Sequence, residues 1–316
     1  MLLVASCATA SVLILYLNRS SNFFYDEWLW FSGAAHPNAT TLFQSDNGHL
    51  VLIPRLIYAG ILSAFGTHYL PFRLISLSLV LANSILLFML ARRRVGDQLA
   101  LAPAVLLLFL GSAWDVLASG GATCVNLATA CGLGAFIALE RRTTWSEVLA
   151  GVLIAVGLLS FSSELAFALG AIVLLVAEGR WRRTWVIWIP ILMFLIWSAQ
   201  ATPAPATASD HIKLDDIGAL PFSMFNSVAA AMAGITGLFP TGFPTGLAGI
   251  DLSAGRPLAA VAIGGLGYLL LRGHRVTPRF LAYATVVVIY WAMIGLVGRD
   301  PSLGRYYFEV LPFIFL

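Results

Sequence analysis

The chain has 316 residues, 59% of them hydrophobic and only 10% charged. Soluble domains carry about 25% charge, so the composition excludes a water-soluble globule and indicates a polytopic membrane protein. A formal charge of +3, carried by dispersed arginines and one lysine, also excludes a nucleic-acid binder.

Apolar runs punctuated by arginines predict spans at about 1–17, 70–91, 99–116, 122–139, 146–162, 165–178, 184–201, 256–272 and 279–297. The first run lacks a basic start and a cleavage site, and reads as a retained anchor. Outer loop 1 follows, at 18–69. Its second half, Leu50 to Phe65, is apolar but broken by Pro54-Arg55. Counting it as a span would invert everything after it, so a helix lying in the outer leaflet is expected there. Cys7, Cys124 and Cys131 fall in or near apolar runs, complete no metal set, and read as small core residues. Gly132 and Gly134 read as close-packing sites between helices.

The arginines orient the chain. Arg92-Arg93-Arg94, Arg141-Arg142, Arg180, Arg182, Arg183, Arg272, Arg275 and Arg279 fall on one side, which is therefore cytoplasmic. The other side carries long, carboxylate-rich loops. The second of these spans 202–255 and holds Asp210-His211-Ile212-Lys213-Leu214-Asp215-Asp216. The Gly-rich apolar stretch from Ile217 to Ile250 suggests a re-entrant or interfacial helix. A last outer segment, Gly298 to Tyr306, opens an apolar run that stops at Leu316, short of the roughly 20 residues a span needs. The expectation is one domain over 1–316, all-α, of about 9 to 10 transmembrane helices with interfacial helices in the outer loops, its distal part missing.

Chemistry is expected on the outer side. Asp26 and Glu27 sit within Phe24-Tyr25-Asp26-Glu27-Trp28, where charge at a lipid boundary needs a reason. Nucleotide donors are scarce outside the cytoplasm, so a lipid-borne activated group is the expected donor. Transfer from a phosphate leaving group needs a carboxylate to deprotonate the acceptor hydroxyl, and cations to offset charge on the departing phosphate. Asp26 and Glu27 suit the first role, one as base and the other orienting it or contacting a metal. Arg305 suits the second, with Arg299 next and Tyr306 beside it. His49 and the lone Lys213 are further substrate contacts. Asp26, Glu27, Asp46 and His49 make a candidate Mg²⁺ or Mn²⁺ set. The surrounding aromatics act as interface anchors or stack on a sugar ring. Asp115 and Glu164 are expected at outer helix tips.

The order of these parts resembles the GT-C superfamily of membrane glycosyltransferases. Tyr25-Asp26-Glu27-Trp28 is similar to its acidic motif in the first outer loop. Asp46-Asn47-Gly48-His49-Leu50 through Pro54-Arg55 is similar to the stretch opening an interfacial helix, and Ser302-Leu303-Gly304-Arg305-Tyr306 to its late Arg-Tyr element. Asp46-Asn47-Gly48-His49 departs from the pattern in lacking a carboxylate directly before the histidine. The resemblance implies inverting transfer of one sugar from a polyprenyl-phosphate donor to a cell-envelope glycan, lipid or protein. It puts Asp26 in the place of the base, Glu27 as a supporting carboxylate and Arg305 at the donor phosphate. The site would face outward from a bacterial cytoplasmic membrane, among membrane lipids. The competing expectations are a transporter or flippase of lipid-linked glycan and a non-catalytic membrane scaffold.

Overall fold

The structure, a computed structural model, describes residues 1–23, 27–201, 214–238 and 249–316. Asp26 and Lys213 lie outside the described residues. The described residues are helical, without a β-strand. In chain order the helices are α1 (Leu2–Leu17), α2 (Glu27–Ala35), α3 (Ala39–Phe43), α4 (Leu52–Phe65), α5 (Tyr69–Leu108), α6 (Trp114–Ala118), α7 (Thr123–Leu139) and α8 (Thr144–Leu158). They continue as α9 (Glu164–Ala177), α10 (Trp185–Gln200), α11 (Leu220–Thr236), α12 (Gly255–Leu271), α13 (Pro278–Leu296), α14 (Arg305–Phe308) and α15 (Leu311–Ile314).

Four stretches among the described residues are long and apolar enough to cross a membrane: Tyr69–Leu108, Gly120–Leu139, Ile217–Thr236 and Pro278–Leu296. Six further apolar helices are shorter. The outward faces of α10 and α12 present large apolar side chains, among them Leu192, Met193, Ile196, Val261, Leu266 and Leu269. Such a surface suits lipid.

α5 is two helices. Gly96, at φ +79°, breaks it, and the Ser84 hydroxyl donates to the Ala104 carbonyl at 2.8 Å. In a straight helix those residues would stand about 30 Å apart, so the chain reverses at Gly96. The legs, 69–95 and 97–108, fall where the spans 70–91 and 99–116 are expected, but the second ends at Leu108, well before Asp115. Short helical turns then carry the chain to α7.

α7 sits at the centre, 83% of its apolar stretch enclosed. Gly132 lets the Phe167 ring of α9 press against it: a Cβ there would stand 2.0 Å from Phe167 Cδ1. Phe136, Phe167 and Tyr283 each pack on Phe313 with centroids 5.2–5.4 Å apart, which fastens α7, α9 and α13 to α15. The three cysteines are thiols and not disulfides; Cys124 and Cys131 are buried and Cys7 half-buried.

The bundle has two chemically different ends. At one, Arg93 and Arg94 bond Glu140 at 2.6 and 3.2 Å, and Arg142 and Arg180 both bond Glu178 at 2.8 Å. Arg180 also pairs with Glu147. Glu140 and Glu178 close the C-termini of α7 and α9, where the helix dipole disfavours anions, and the arginines offset that. The exposed Trp145, Trp181, Trp185 and Trp188 ring this end, as interfacial tryptophans do. At the opposite end lie the starts of α5, α7 and α9 and the end of α13. There the Ile53 amide of α4 donates to the Leu159 carbonyl at 3.1 Å, docking α4 across the bundle.

Both ends of α11 touch elements of that second end. A Cβ on Gly295, at the end of α13, would meet Leu220 Cδ1 at 2.8 Å. The Ser112 hydroxyl, beside α6, donates to the Gly234 carbonyl at 3.4 Å. α11 therefore runs across the end of the bundle.

Candidate functional site

Glu27, the first residue of α2, is 1% exposed. Its Oε1 accepts from the Ser119 hydroxyl at 3.0 Å, from the Gly121 amide, and from the Tyr69 hydroxyl at 3.1 Å. Tyr69 also reaches Oε2 at 3.1 Å, and the Gly120 amide donates back to Tyr69 at 3.2 Å. The receiving turn has no room for side chains. A Cβ on Gly121 would lie 2.9 Å from Glu27 Cγ, and one on Gly120 3.0 Å from Oε1. Unsatisfied amides at the start of α7 and the helix dipole both favour an anion here. Glu27 thus clamps α2 onto the 119–121 turn.

Asp46 to His49 form a tight two-residue reversal. The Asp46 amide donates to the His49 carbonyl at 3.0 Å and the His49 amide to the Asp46 carbonyl at 2.8 Å. Asn47 and Gly48 take φ of +49° and +80°, the left-handed pair such a turn demands. Asp46 accepts from the indole of Trp30 in α2. Arg55 is buried and spends its guanidinium on the Leu42 and Gln44 carbonyls, a structural role. His49, outside the helices, stacks on Phe161 at 3.9 Å and meets the Ser162 hydroxyl through Nδ1 at 2.5 Å. Burial, with the nearby Arg299 guanidinium, holds its imidazole down to about 3, so the ring is neutral at physiological pH.

Arg305 opens α14. The residue before it, Gly304, lies directly on the chain at 112–113: a Cβ would meet the Ser112 carbonyl oxygen at 2.1 Å. Trp291 donates to the Tyr306 carbonyl at 3.2 Å, and the Tyr307 ring packs on Gly234. Arg305 thereby comes to Asp115 in α6. Burial pushes the Asp115 carboxyl up, and the Arg305 guanidinium draws it back. Arg305 Nε is buried and has no hydrogen-bond partner among the described residues.

The structure therefore brings Glu27 and Arg305 to one stretch of chain. Glu27 holds Ser119 and Gly121, Arg305 acts electrostatically on Asp115, and the Ser119 amide donates to the Asp115 carbonyl at 3.3 Å. His49 meets Ser162, and the Arg299 guanidinium lies close enough to disfavour its protonation. Glu27 and His49 do not meet at a common point, and the described residues contain no group of three or more His, Cys, Asp and Glu able to hold a metal. Two features escaped the sequence reading. Ser119-Gly120-Gly121 ahead of a helix is a recognisable anion-receiving turn. Glu309, four residues after Arg305, shares its helical face.

Comparison of the chain with protein-family models, curated proteins and solved structures found no match.

Proposed function

We propose that the chain is a GT-C-type membrane glycosyltransferase. In this reading it moves a sugar, with inversion, from a polyprenyl-phosphate donor to a cell-envelope acceptor. Nine to ten crossings are formed by α1, the two legs of α5, α7 to α10, α12, α13 and the run from Arg305, with α4 and α11 at the interface. The arginine-paired end faces the cytoplasm and the Glu27 end faces outward. Asp26 is the general base, with Glu27 supporting it. Arg305 and Tyr306 receive the donor phosphate, with Arg299, His49 and Lys213 as further substrate contacts and Mg²⁺ or Mn²⁺ as a candidate metal.

The observation that carries this reading is the shared footing of Glu27 and Arg305 on residues 112–121. It gathers Glu27 and an arginine with an unused, buried N–H at one end of the bundle. A phosphate oxygen is the acceptor such a donor suits. The test is transfer from a lipid-linked sugar by the protein in membranes. Asp26→Asn is expected to abolish transfer while leaving thermal stability unchanged; undiminished transfer removes the proposed base.

A transporter or flippase of lipid-linked glycan is the second reading. It is favoured by the burial of Glu164 and Glu309 inside the bundle, where ionisable groups mark proton and substrate paths. Substrate crossing in sealed vesicles with no covalent product distinguishes it.

A further inference from the structure

Two buried carboxyl groups take no part in the proposed transfer. Glu164 opens α9 at 0% exposure, and Glu309 follows α14 at 1%. Phe167 lies one turn beyond Glu164 and Phe313 one turn beyond Glu309, and their ring centroids are 5.3 Å apart. Both segments run inward from the same end of the bundle, and the two carboxyls come near enough to act on each other electrostatically. Ser163 lies near Glu309, its hydroxyl buried and without a hydrogen-bond partner among the described residues. Gly157 of α8 admits Glu164: a Cβ there would fall 2.4 Å from the Glu164 Cδ.

The polar accounting at this spot is incomplete. Tyr290 of α13 donates to Glu309 Oε1 at 2.9 Å. Glu309 Oε2 and both oxygens of Glu164 are buried and have no hydrogen-bond partner among the described residues. Cys131 of α7 also faces Glu164. Arg305, on the Glu309 segment itself, acts on Tyr290 and Asp115. Neither glutamate belongs to any ion pair among the described residues.

Adjacent carboxylates in a low-dielectric site cannot both stay charged, and a proton held between them removes most of the penalty. We propose that Glu164 and Glu309 form a proton-binding dyad, with one proton held between Glu309 Oε2 and the Glu164 carboxyl. A hard metal cation fits less well. It gathers about six oxygens or more, and this site offers two carboxyls and the Ser163 and Tyr290 hydroxyls. The dyad ties α9 to the segment that presents Arg305, four residues upstream of Glu309. Losing the proton sets two anions against each other and loosens that segment. The dyad holds under either functional reading, so its failure would leave both standing.

Infrared spectroscopy of the full chain in lipid nanodiscs tests this. A protonated carboxyl band is expected to persist at mildly alkaline pH and to shift when glutamate alone is isotope-labelled, which separates it from Asp115. The band should vanish in the double variant Glu164→Gln/Glu309→Gln. The thermal midpoint of the wild type should fall as pH rises through the band's titration, because the folded state there holds a proton that the unfolded state gives up. If the double variant does not fold, Gly157→Ala keeps both acids and should displace the band by crowding Glu164. The dyad is overturned if every glutamate is ionised at that pH, if the band survives in a folded double variant, or if it is unmoved in Gly157→Ala.

Discussion

Removing the Glu27 carboxylate strands two donors, the Ser119 and Tyr69 hydroxyls, and leaves the Gly121 amide with Ser119 Oγ alone. A buried donor left without an acceptor costs about 1–3 kcal/mol. Glu27→Ala is therefore expected to lower the thermal midpoint in detergent sharply, and Glu27→Gln, which keeps one acceptor oxygen, to lower it less. Equal midpoints for the two variants would remove the clamp. The His49 ring gives a pH signature of opposite sense to the dyad's. Its folded value is about 3 against an ordinary 6.5, so between those limits the unfolded chain binds the extra proton. The His49 contribution is thus complete above about 6.5 and is lost as pH falls toward 3. Thermal midpoints across that range should fall less steeply on acidification in His49→Gln than in the wild type; parallel curves would count against the burial of a neutral ring. Asn47-Gly48 has the residue types of its turn, although no turn was drawn there from the sequence. The sequence was silent on Ser162 as the partner of His49, because a contact across 113 residues leaves no local trace.

Element positions were legible wherever apolar runs end at charge. α7, α12 and α13 fall within two residues of the expected 122–139, 256–272 and 279–297, since arginines and outer-loop polar residues bound each run. The second leg of α5 was misjudged, because Phe109 to Trp114 is as apolar as a helix but turns in short steps. Hydropathy does not distinguish a buried turn from a span. The turn matters because Gly304 seats α14 against its backbone, and a carbonyl 2.1 Å from a new Cβ has no rotamer by which to yield. Gly304→Ala is therefore expected to cost about 1–3 kcal/mol of stability through overpacking. Under the proposed function it should also weaken transfer by displacing Arg305, seen as a rise in KM for the lipid-linked donor. A folded Gly304→Ala protein with wild-type stability would mean that this docking is not tight.

Across the whole molecule, the separation of paired arginines from the Glu27 end was legible because a lipid boundary sorts charge along the chain. The placement of α11 was not. Ile217–Thr236 satisfies the length and hydropathy of a crossing, though it is the least apolar of the four candidate stretches. Its contacts place it otherwise: Leu220 lies by Gly295 at the end of α13, and Gly234 by Ser112, both at the Glu27 end. A crossing helix would bring one terminus to the arginine-paired end, about 20 Å or more away along its axis. Lying flat, α11 keeps α12 and α13 in the orientation that puts Arg272 and Arg279 with the other arginines, whereas crossing would move them to the far side. Single cysteines at Ile217 and Leu238, both exposed at the margins of α11, read this out once Cys7, Cys124 and Cys131 are replaced. A membrane-impermeant thiol reagent on sealed vesicles should label both from the same side, and a cysteine at exposed Arg141 from the other. Labelling of Ile217→Cys and Leu238→Cys from opposite sides would make α11 a crossing helix and invert the chain after it, parting Arg299 and Arg305 from the Glu27 end.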